Sequence, residues 1–99
     1  MSSDRTPTIY NVTLTDADTE YSQAIGKASE WSMQARTAAA VRFAFVTGKV
    51  ATPTAPYATM KSNASFEFQS GSEQRSSDET IYLASASAGT VVEIVIWDA

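Results

Sequence analysis

Ala28-Ser29-Glu30-Trp31-Ser32-Met33-Gln34-Ala35-Arg36-Thr37-Ala38-Ala39-Ala40 is the stretch on which the fold class turns. Glu30, Met33, Gln34, Ala35, Arg36 and three consecutive alanines are all acceptable helix formers, and Ser29 is suited to an N-cap. Trp31, Met33 and Ala35 also alternate with Ser32, Gln34 and Arg36, the period-two pattern of a strand with one buried face. The neighbours decide between these readings. Every flanking segment alternates, and agreement between local and global preference favours β. A strand is therefore expected from about Glu30 to Arg36, with Thr37 to Ala40 as a connection. A short helix is the alternative.

Upstream, Thr8 to Leu14 places Tyr10, Val12 and Leu14 on one face and Asn11 and Thr13 on the other. Thr15 to Thr19 reads as a turn whose Asp side chains bond the local backbone, and a second strand runs from Glu20 to Ile25 up to Gly26-Lys27. Downstream, Val41 to Val46 points Val41, Phe43 and Phe45 inward with Arg42 opposite. Thr47 to Pro56 holds two of the three prolines and is expected as a long ordered loop or edge segment. Tyr57 to Met60 and Ser65 to Gln69 read as the two arms of a β-hairpin across Lys61-Ser62-Asn63-Ala64. Ser70 to Glu79 is a polar loop, and Thr80 to Ser85 a strand with Ile81 and Leu83 on one face. Ala86 to Gly89 is a tight connection. Thr90 to Trp97 is apolar on both faces, as in a strand that is central in a sandwich or packed on a partner.

About eight short strands result. They predict an all-β fold: a single small antiparallel β-sandwich, jelly-roll-like, over residues 8–99, with residues 1–7 as a flexible N-terminal arm. At 99 residues the chain makes one domain. Its length supports one core and leaves little room for a deep enclosed cavity.

Composition narrows the function classes. Hydrophobic residues make up 43% and charged residues 18%. The net charge is -4, and the seven basic residues are scattered. Nucleic-acid binding needs several cations on one face, so none is expected. Cys and His are both absent, which removes disulfides, thiolate nucleophiles and the usual general base. No apolar run follows Met1 to Arg5, and the C-terminal apolar stretch is interrupted by Glu93. Neither a leader peptide nor a membrane span is expected, and synthesis in a cytosol is the default.

Asp16, Asp18 and Glu20 form the densest acidic group. A Ca²⁺ site is one reading of such a turn, but no Gly stands where an EF-hand-type loop needs it, and a solvated turn is the other. Glu67 and Glu93 are conceivable as a glycosidase pair, although both fall at outward strand positions. No cofactor is expected, and the chain is read as non-enzymatic. Trp31, Phe43, Phe45, Phe66, Phe68 and Tyr82 are assigned to the core or to inter-strand pairs. Tyr57, after the Pro-rich loop, and Trp97 are harder to bury in a small domain. With Pro53 and Pro56 they form the candidate protein interface, because Tyr and Trp are enriched among interface anchors.

A resemblance extends this reading over residues 8–97. Glu20-Tyr21-Ser22-Gln23-Ala24-Ile25, then Trp31-Ser32-Met33-Gln34-Ala35-Arg36, then Val41-Arg42-Phe43-Ala44-Phe45-Val46-Thr47-Gly48-Lys49-Val50 is similar to small structural proteins encoded in the virion gene clusters of tailed bacteriophages. Pro56-Tyr57-Ala58-Thr59 and the close from Tyr82 to Trp97 fit the same pattern. The chain departs from it at Gly26-Lys27, where a Pro-containing turn is common, and in the polar insertion around Gly71 to Glu79. The resemblance implies a virion structural component on the capsid exterior, of the decoration or cement type, that binds the major capsid protein or an adjoining virion subunit. A homo-oligomer, with a trimer as one form, fits such a component, and the scattered charges and short apolar runs already give no nucleic-acid or membrane partner. The alternative role is a carbohydrate-binding sandwich on a tail or fibre, with Tyr57 and Trp97 as the stacking residues.

Overall fold

The computed structural model describes residues 6–26, 30–69 and 78–97. Eight strands run through them: β1 (Thr8–Leu14), β2 (Tyr21–Gly26), β3 (Glu30–Ala35), β4 (Val41–Ala44), β5 (Ala58–Met60), β6 (Ser65–Gln69), β7 (Glu79–Ala84) and β8 (Thr90–Trp97). The stretch that posed the helix question is β3. It lies centrally in its sheet between β8 and β6, with Trp31 and Met33 turned inward and buried.

Two four-stranded sheets form, in the orders β1-β8-β3-β6 and β2-β7-β4-β5, with every pairing antiparallel. The nested pairs β1·β8, β2·β7, β3·β6 and β4·β5 are those of one long hairpin ribbon rolled on itself. The chain is a jelly roll, an arrangement of two packed sheets that leaves only short edges. The core lies between the sheets. Leu14, Trp31, Met33, Val92, Ile94 and Ile96 come from the first sheet, and Ile25, Val41, Phe43, Met60, Ile81 and Leu83 from the second. Each fully buried large side chain contributes about 1.5–3 kcal/mol.

Five expectations need correcting. The segments before and after Lys61-Ser62-Asn63-Ala64 are not the arms of one hairpin. β5 pairs with β4 (Val41↔Met60) and β6 with β3 (Trp31↔Phe68), so this turn carries the chain from the second sheet to the first. Its Ala64 N–H donates to the Lys61 carbonyl at 3.0 Å, and Asn63 takes the left-handed φ of 66°, which Asn tolerates better than most residues. The strand from Val41 ends at Ala44, leaving Phe45 and Val46 beyond the sheet. β2 begins at Tyr21, which leaves Glu20 outside the ladder for another task, and it runs through a bulge at Ala24/Gly26. Tyr57 precedes β5 rather than opening it, and Glu79 opens β7. Residues 1–5 of the expected arm, Lys27 to Ser29, and residues 70–77 of the expected polar loop lie outside the described residues.

Candidate functional site

Three surfaces collect the side chains with chemical potential: one end of the sandwich, the outer face of the second sheet, and the outer face of the first.

The end of the sandwich is aromatic. Trp31 lies 5.4 Å from Phe66 and 6.2 Å from Phe68 between ring centroids, and Phe43 lies 4.9 Å from Phe66. Trp31 and Phe43 are buried. Phe45 was expected beside them, but the residue is 45% exposed. It meets Trp31 at 6.2 Å and Phe43 at 6.3 Å, both edge-on, and closes the cluster at the surface. The cause is local. Alternation aims a side chain only while the backbone stays extended, and the ladder with β7 ends at Ala44↔Tyr82.

Phe45 is the shared wall of two hollows. One, of about 230 Å³, is lined by Trp31, Phe45, Phe66, Phe68 and Glu79. The other, of about 300 Å³, is lined by Phe43, Ala44, Phe45, Val46, Pro56, Tyr57 and Ala58. Val46 is 57% exposed and Tyr57 39%. Of the four residues expected at an interface, Pro56 and Tyr57 therefore share one apolar groove. Pro53 is exposed on the same loop without lining it, and Trp97 lies on the first sheet. Phe45 and Val46 escaped the sequence reading because their alternating pattern is that of a core strand.

The loop bearing this groove is fastened over the outer face of the second sheet. Val50 is fully buried against Ala44 and Ala84, with Tyr82 packed alongside. Arg42 projects outward from β4. Its Nε donates to the Val50 carbonyl at 2.7 Å, and its Nη2 to Asp18 Oδ1 at 2.8 Å and the Ala51 carbonyl at 3.3 Å. Glu20 accepts from Thr47 Oγ1 at 2.6 Å and from the Gly48 N–H at 2.8 Å. The acidic turn considered for Ca²⁺ thus directs Asp18 and Glu20 to separate protein partners. Among the described residues no three acidic side chains converge as metal ligands.

The outer face of the first sheet is open. Asn11, Glu93, Gln34 and Ser65 form one straight row across all four strands, and Ile9, Val95, Ser32 and Glu67 form the next. The rows enclose a shallow concavity of about 370 Å³. Glu93 is held from both sides: Gln34 Nε2 donates to Oε1 at 2.9 Å, and Arg36 Nε to Oε2 at 2.8 Å. The Gln34 hydrogen bond first, then that of Arg36, keep the Glu93 carboxyl below its ordinary value. Glu67 and Glu93, considered as a catalytic pair, do line the same concavity. An acid catalyst needs a raised pKa to hold its proton, and Glu93 is shifted the other way.

No family model, curated protein or solved structure matches the chain.

Proposed function

We propose that this chain is a bacteriophage virion structural protein of the capsid decoration or cement type. It docks on the major capsid protein or an adjoining virion subunit through the aromatic end of its jelly roll. The observation that carries the reading is the exposed groove of Phe45, Val46, Pro56 and Tyr57 on a loop pinned by Arg42 and Glu20. Large apolar side chains at the surface of a small domain commonly mark a contact surface, and a pinned loop loses less entropy on docking than a free one. The resemblance of residues 8–97 to small virion proteins of tailed phages supplies the identity of the partner. Symmetric self-association, as trimers on the particle, is the natural form for a many-copy component.

Co-sedimentation tests this reading. The tagged protein mixed with purified particles lacking it pellets with them, and Phe45→Ser abolishes pelleting while the far-UV circular dichroism stays that of the wild type. A chain absent from purified virions of the phage encoding it, or a Phe45→Ser variant that still pellets, overturns the reading.

A further inference from the structure

We infer that the outer face of the first sheet is a binding site for a neutral oligosaccharide, on a surface that shares no residue with the groove of Phe45, Val46, Pro56 and Tyr57. The groove follows from the register. Ser32 stands at the centre of the sheet, with Val95 and Glu67 beside it in the same row and Gln34 and Glu30 two residues away along β3. A short side chain surrounded by longer ones leaves a dip, and its volume of about 370 Å³ lies within the roughly 300–1,000 Å³ of small-molecule sites. A second hollow of about 190 Å³ shares Ser32 and Glu67 with the first, reaches Trp97 and borders Trp31 and Phe68 of the aromatic cluster. The two make one trough. From the row of Glu93 to that of Trp97 it runs about 13–14 Å at roughly 3.4 Å per residue, which suits a chain of sugars better than a single ring.

The lining selects the ligand class. Asn11, Gln34, Ser65 and Glu67 are exposed polar groups along the trough, and an apolar ligand would desolvate them without replacing their hydrogen bonds. Glu67 and Glu93 repel phosphates, sulfates and acidic sugars. Both Glu93 oxygens are already engaged by Gln34 and Arg36, so a cation is not offered the pair. A hydroxyl both donates and accepts, and so satisfies amides, serines and carboxylates alike. Ile9 and Val95 give the apolar C–H face of a sugar a surface to lie on, and Trp97 offers an aromatic one. Glu93 is held in place before any ligand arrives, which limits the ordering cost.

The test is a ¹⁵N-HSQC titration of the full chain with a panel of neutral and acidic oligosaccharides. At least one neutral member shifts the amides of Asn11, Ser32, Gln34 and Glu67, with a Kd on the order of 1 mM as fits a shallow site. Ser32→Tyr, which fills the dip from the solvent side, and Glu67→Ala each weaken that member tenfold or more, while Phe45→Ser leaves it unchanged. The inference is overturned if no neutral saccharide shifts these amides, if the shifts fall at Phe45 and Tyr57 instead, or if acidic sugars bind as well as neutral ones. It is equally overturned if Ser32→Tyr and Glu67→Ala bind like the wild type.

Discussion

The outer faces of the two sheets began with the same problem and ended differently. Each is the back of a four-stranded sheet whose front packs the common core. On the second sheet the outward residues beneath the loop are small, Ala44 and Ala84, and the chain's own residues 45–57 fold over them with Val50 as the plug. Arg42, Asp18 and Glu20 hold that cover shut. On the first sheet the outward residues are Asn11, Gln34, Glu67 and Glu93 among Ile9, Val95 and Trp97, and no described segment covers the trough between them. The difference separates stability from binding. Val50, Arg42 and Glu20 on the closed face hold the covering loop down, and the side chains of the open face line a trough that solvent reaches.

The comparison breaks first at Val50. Val50→Asp buries an unpaired carboxylate beneath the loop and is expected to destabilise the protein by about 3 kcal/mol, read as a lower urea midpoint with the slope unchanged. Next, Arg42→Ala removes the donor of three hydrogen bonds and strands the Val50 carbonyl. The expected loss is about 2 kcal/mol, and amide exchange quickens between residues 47 and 55 while β8 keeps its protection. Uniform acceleration across both sheets would show that the cover is no separate unit.

Phe45→Ser gives up edge-on ring contacts of an already half-exposed side chain, about 1 kcal/mol. Its main effect is expected on particle binding. Glu93 shows itself through pH. Its folded-state pKa lies below the ordinary 4.5, so it contributes stability above that value, and the contribution is lost as pH falls through the lowered folded value. The wild type therefore loses more melting temperature between pH 7 and pH 3 than Glu93→Gln does. Salt narrows the gap, because the partner Arg36 is about half exposed. The smallest effect belongs to Glu67→Ala on the open face. Stability should stay within about 0.5 kcal/mol of the wild type, and a larger loss would show that this face also holds the fold.

Much of this was legible in the residues. All eight strands were placed within two residues of their ends. In the ambiguous segment, Trp31 and Met33 pointed inward as their alternation required. The outward positions of Glu67 and Glu93 were legible for the same reason. Phe45 was not, because a side chain's direction follows the pleat only to the last paired residue, and nothing within Val41 to Val46 marks where pairing stops. The partner of β5 was not legible either. A four-residue turn after a strand suits a return within one sheet and a crossing to the other equally well, and the choice belongs to Val41↔Met60 and Trp31↔Phe68, contacts between distant parts of the chain.

By itself the sequence determined the all-β class, the inward faces of the strands and the absence of thiol and imidazole chemistry. These depend on side-chain identity and on a periodicity that each short segment carries alone. The tertiary structure decided which strands are neighbours, and with that, which side chains form a row. Asn11, Gln34, Ser65 and Glu93 span 83 positions of sequence and stand in one line across the sheet. Asp18, Glu20 and Arg42 became a clamp only when the loop after β4 folded back between them. Strand pairing brings together groups that no local pattern relates, so the trough, the clamp and the exposed Phe45 exist only in the folded chain.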